Sequence, residues 1–186
     1  MEKFLREISI SNRLGISHLK LGMNPDEVLS AIESILDDLS ISREGMDIFS
    51  TRLPDDDFST TKYMGKDYFF MVQFRDDKAI ELAINDQLKE FADINILGKN
   101  AFDTSAEDLV DFLSRYSICK HNFEDFLLST NYEFPEIGIR LWRDNAFHEK
   151  LLEDKEYVAE MGRMLEEEYR YLYFEVLAVG NYGYVF

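Results

Sequence analysis

The chain has 186 residues, 37 of them acidic and 20 basic, for a formal net charge of −17. A field of this sign repels nucleic acid and anionic membrane and draws cationic partners, although solubility alone accounts for acidity in many cytoplasmic proteins. With 46% hydrophobic and 14% aromatic residues the composition excludes a disordered chain, and the length suits one domain, residues 1–186, with its own core.

No apolar run approaches the roughly 20 residues of a membrane span, and the start MEKFLREIS lacks the basic block and apolar stretch of a secretory signal. The expected location is the cytoplasm. The single cysteine, Cys119, excludes an internal disulfide framework and fits a reducing compartment.

In chain order, Phe4, Leu5 and Ile8 suggest one face of a short helical turn, and Gly15 and Gly22 turn the chain around Ile16, Leu19 and Leu21. Asn24, Pro25, Asp26 and Glu27 then form a strong helix start: a capping amide, a proline at the first position and two acids at the positive end of the dipole. Val28, Leu29, Ile32, Ile35, Leu36 and Leu39 give that helix an apolar stripe. Residues 40–61 are polar and irregular, with a short strand around Met46 to Phe49. Within them Asp55, Asp56 and Asp57 lack the alternating ligands and distal glutamate of a calcium loop, so they read as a solvated acidic loop.

Tyr68 to Asn85 is a β-hairpin pattern interrupted by Asp76, Asp77 and Lys78. Its first strand is apolar on both faces, which predicts a central strand covered on both sides. Asp93 to Leu97 predicts a further strand. Thr104 to Glu107 has the spacing of a capping box, ahead of a helix burying Leu109, Val110, Leu113 and Tyr116. Two strand segments meet around Pro135 and Gly138, and a long helical pattern follows from Phe147 to Tyr169, with Glu166, Glu167 and Glu168 opposing the dipole at its end. Tyr171 to Ala178 is a last strand, and the final aromatics are expected to dock on the core.

Chemistry-bearing motifs are scarce. His18, His121 and His148 are scattered, Cys119 and His121 have no second pair to complete a zinc site, and no GxSxG, GxxxxGK[ST] or GxGxxG occurs. The expectation is a protein with no catalytic residues, no metal and no cofactor, acting by binding. Trp142, set between Arg140 and Arg143, is an interface anchor if exposed and a packing residue if buried.

Two stretches carry a resemblance. GISHLKLGMNPDEV, from Gly15 to Val28, and YEFPEIGIRLWR, from Tyr132 to Arg143, resemble the LGM…EV and YxFPxxGIxxWR patterns of a group of small bacterial proteins, some of which look like immunity proteins of polymorphic or contact-dependent toxin systems. The resemblance implies an immunity protein that neutralises a cognate toxin, with a basic toxin such as a nuclease suited to the charge. It assigns no role to any residue.

The expected architecture is α+β, an antiparallel sheet with helices packed on it. Candidate partner contacts are Asp55, Asp56, Asp57, Trp142, Glu166, Glu167 and Glu168, with neither nucleic acid nor membrane as partner. The rival expectation is a structural or regulatory interaction domain, a homodimer through an exposed sheet edge, whose acidity serves solubility alone.

Overall fold

Two three-stranded antiparallel units joined edge to edge explain most of the architecture. In the computed structural model, which describes residues 6–181, strands β5 (Ser59–Met64), β6 (Phe69–Arg75) and β7 (Lys78–Asn85) form a meander. Strands β11 (Asn131–Phe134), β12 (Ile139–Trp142) and β13 (Val176–Gly180) form another. β13 pairs antiparallel with β7 and joins them. With β4 (Asp47–Thr51) at one edge and β10 (Lys120–His121) at the other, the result is an eight-stranded sheet in the order β10-β11-β12-β13-β7-β6-β5-β4.

A smaller sheet holds β1 (Glu7–Ser11), β2 (Gly15–Ile16), β3 (Leu19–Lys20), β8 (Asp93–Ile96) and β9 (Lys99–Asn100), in the order β3-β2-β1-β8-β9. The fold is α+β, built on two sheets, and the β1–β8 pair is parallel. Ile8 therefore lies on a strand and not on the helical turn its neighbours suggest, while Phe4 and Leu5 lie outside the described residues, as do the final aromatics.

Helix α1 (Pro25–Leu39) starts as its sequence requires. Asn24 Oδ1 accepts from the Glu27 amide at 3.0 Å, and Glu27 returns the bond to the Asn24 amide at 2.8 Å. Arg6 reaches its other end, donating to the Leu39 carbonyl and to Ser40 Oγ. Val28, Ile32, Ile35 and Leu36 are buried in one cluster with Ile8 and Ile94 of the small sheet and Phe70, Val72, Leu82 and Leu177 of the large one. Helix α2 (Ala106–Leu113) adds Leu109, Val110 and Leu113 to that cluster. Its cap is Ser105, not Thr104, and the helix stops at Leu113, so Tyr116 lies outside the core and is exposed.

The hairpin turn puts Asp76 and Asp77 at φ 49 and 55, the left-handed pair a two-residue turn needs to match strand twist. A bulge at Gln73/Phe74 then shifts the register, pairing Phe74 with Ala79 and leaving Ile80 unmatched. Ala79 thus takes the core position that strict alternation assigns to Ile80. The strand covered on both sides is β7, in which Glu81, Leu82, Ala83 and Ile84 are all buried, and not β6, whose Phe69, Met71 and Gln73 are only half-covered.

The predicted long helix after Phe147 is broken. Asp154 caps a new start by accepting from the Glu156 and Tyr157 amides, and Gly162 at φ 49 ends it, giving α3 (Lys155–Met161) and a four-residue α4 (Leu165–Glu168) joined by 3-10 turns. Glu166 to Glu168 fill α4, so no long dipole opposes them. The last strand starts at Val176, because Tyr169–Leu172 is a 3-10 turn.

Candidate functional site

The stretch Tyr132 to Arg143 builds one side of the site, and most of its side chains are committed to the fold. Tyr132, Phe134, Ile139 and Leu141 point into the core. Gly138 sits at φ +66 where a Cβ would come 2.5 Å from the Gly180 carbonyl oxygen, so only glycine lets the β11–β12 turn close on β13.

Arg143 is 2% exposed. It donates to the carbonyls of Tyr171 (2.7 Å), Leu127 (3.0 Å), Phe147 (3.1 Å) and Ser129 (3.1 and 3.3 Å). Among the described residues its partners are carbonyls and the Tyr132 phenol, with no carboxylate, and burial lowers its pKa from the usual range. Its guanidinium also lies 5.8 Å from the Phe174 ring centroid. This cation ties three chain segments to the end of β12, beside a cavity of about 280 Å³ that reaches the start of α2.

Trp142 alternates to the opposite face and is 38% exposed. There a cross-strand row runs through the whole sheet: Lys120, Glu133, Arg140, Ala178, Ala83, Met71, Lys62 and Phe49, each opposite the next. Beside it runs a second row, Asn131, Trp142, Val176 and Asn85. Ala83 and Ala178 are small enough to make a floor. They are each 1% exposed yet stand outside the main core cluster, roofed by longer neighbours on this outer face.

The result is a trough of about 430 Å³ walled by Trp142, Phe69, Met71 and Val176, with Arg140 and Lys62 on its rim and every lining residue supplied by a strand. Asn131 joins it to a second hollow of about 370 Å³ around Lys120, Asn122 and Glu133. Glu81, 5% exposed, is paired with Arg140, which offsets that rim charge, while Lys62 is exposed beside it. The side-chain oxygens of Asn131 and Asn85, which flank Trp142 and Val176, are buried without a hydrogen-bond partner in the structure.

The other candidate residues divide between the two ends of the sheet. Glu168 accepts from Asn145 at 2.9 Å, three residues beyond Trp142, so α4 brings Glu166, Glu167 and Glu168 to the Trp142 end. Asp55, Asp56 and Asp57 lie in the β4–β5 loop at the opposite end, beside the Asp76–Asp77 turn, and Asp57 is held by Arg75 at 2.9 Å. Among the described residues no group of three or more His, Cys, Asp or Glu is placed to hold a metal ion.

His121 Nδ1 lies 2.7 Å from the Phe123 carbonyl and 3.1 Å from Ser129 Oγ, and burial pushes the Cys119 thiol up to about 11. Both residues of that pair are spent on local structure. The trough itself had only Trp142 as its sequence signal. Phe69 and Met71 were legible as an apolar second face of β6, but that face reads equally as buried core.

Compared with family models, with curated proteins and with solved structures, the chain matches none.

Proposed function

We propose that the protein is an inhibitory binding module of the immunity type, which neutralises a basic bacterial toxin domain such as a nuclease by covering it with the outer face of the large sheet. The observation that carries this reading is the sole tryptophan, 38% exposed in an apolar trough whose rim arginine is paired with Glu81, on a molecule of net charge −17. Tryptophan and arginine at the centre of a desolvated patch supply a large share of binding energy. The acidic surroundings, including Glu168, Glu175 and Asp144 near the Trp142 end, raise the encounter rate with a cationic surface. The motif resemblance points the same way.

No helix among the described residues is long and apolar enough to cross a membrane. We place the protein in the cytoplasm, where an immunity protein meets its toxin.

The test is co-expression with the toxin domain encoded beside its gene, scored by growth and by recovery of a complex at low salt. The expected result is rescue, with Trp142→Ala weakening the complex by 30-fold or more, roughly 2 kcal/mol. Growth arrest despite expression, or a complex indifferent to Trp142→Ala, overturns the proposal.

A further inference from the structure

The large sheet ends in β4, whose outer edge has no neighbour among the described residues. Every residue of this strand is exposed, Ile48 at 50% and Phe49 at 54%, one on each face of the sheet. Such an edge is a template for pairing with another chain, and folded proteins ordinarily guard it with lysine, proline or a bulge. None lies between Asp47 and Thr51, and the β4–β5 register runs unbroken over five pairs.

The chemistry of the two ends says what fits. Glu44 and Asp47 stand at the start of the strand, and Asp55 and Asp56 follow its end. Arg43 is paired with the carboxylates of Glu33 and Asp37, while Arg52, bonded to the Asp56 carbonyl, keeps its charge and offsets only one of Asp55 and Asp56. A second copy pairing across a two-fold axis runs antiparallel, which sets Glu44 and Asp47 of one β4 against a loop that stays net negative because Arg52 offsets only one of its two aspartates. A strand with apolar residues in its middle and lysine or arginine at both ends meets acid at both ends instead.

We infer that β4 is a docking edge for an extended segment of a basic partner. That segment adds a ninth strand and lays alternate side chains beside Phe49, in line with Lys62, Met71 and the trough. This rests on reading the protein as the binder of a basic protein and supplies the mode of attachment: backbone hydrogen bonds along the edge, with Asp47, Asp55 and Asp56 at its ends.

The experiment uses the full chain and a capped peptide, Lys-Lys-Val-Thr-Val-Thr-Val-Lys-Lys, with two controls: the same peptide with glutamates for lysines, and one with proline for its central valine. The readout is amide hydrogen exchange at those alternate amides of Asp47–Thr51 that point away from β5. The lysine peptide is expected to slow exchange there by about tenfold or more, the controls and the Phe49→Lys variant to show no change.

Equal slowing by the proline peptide, no slowing at all, or protection that grows with protein concentration in the absence of peptide each overturn the inference, the last in favour of a second copy. A basic protein bound with Trp142 covered and β4 exchanging freely refutes the edge and leaves the proposed function standing. Peptide protection without capture of the toxin does the reverse.

Discussion

Arg143 is the side chain on which the C-terminal third depends. A buried guanidinium among carbonyls contributes little by its charge, but its fork satisfies four backbone acceptors at once. Lysine keeps the charge and cannot span those acceptors, so Arg143→Lys is expected to cost about 2–4 kcal/mol, read as a lower urea midpoint. Trp142, its neighbour, is 38% exposed and, as the proposed contact residue, is expected to contribute little to the fold. Trp142→Ala should shift the same midpoint by less than about 1 kcal/mol.

Cys119 gives a pH test. Burial favours its neutral thiol, so stability is full below the ordinary cysteine range and falls as pH rises from about 8.5 toward 11, where the unfolded chain ionises and the folded one does not. Urea midpoints should decline over that window less steeply in Cys119→Ser. At pH 8 the native thiol should react with a disulfide reagent on the order of 100-fold more slowly than in denatured protein.

At the scale of elements, the β6–β7 turn runs through two aspartates in the left-handed region. Replacing Asp76 and Asp77 by Asn and Gly at those positions is expected to stabilise the protein by about 1 kcal/mol in thermal unfolding. A loss of stability would show that the two carboxylates do more than turn the chain.

This hairpin, the capped α1 and the β11–β12 pair were legible because each is written in local chemistry: alternation, a capping amide, a proline and a glycine between strands. What was not legible was long-range. The parallel pairing of Ile8 with Ile94 and of Ile10 with Ile96 joins strands some 86 positions apart, and nothing in either strand names the other. The bulge that exchanges Ile80 for Ala79 is set by register with β6, which alternation within β7 cannot report.

The break in the last helical pattern had its signals, Asp154 as a cap and Gly162 as a stop. The spacing of Leu151, Val158, Met161 and Leu165 outweighs them until burial shows that none of these four is fully covered. The trough was hidden for a related reason. Residues on a sheet's open face and in its core share one vocabulary, and only the placement of α1, α2 and the small sheet decides which face is which.

At the scale of the whole molecule, the proposed function has a charge of −17 distributed along the chain act at a distance and the apolar trough act on contact. On the proposed reading the first sets how often a cationic partner arrives, the second how long it stays. Raising salt from about 50 to 500 mM is therefore expected to slow association with the basic partner by about tenfold while dissociation changes little, since screening reaches the field and not the buried patch.

Because Trp142 is the only tryptophan in the chain, it reports directly on the claim that the outer sheet face is the binding surface. Labelled with 5-fluorotryptophan, it should show a shifted fluorine resonance, and its fluorescence should become shielded from acrylamide as the basic partner is added to saturation. A saturated complex in which both signals stay at their free values would contradict the account.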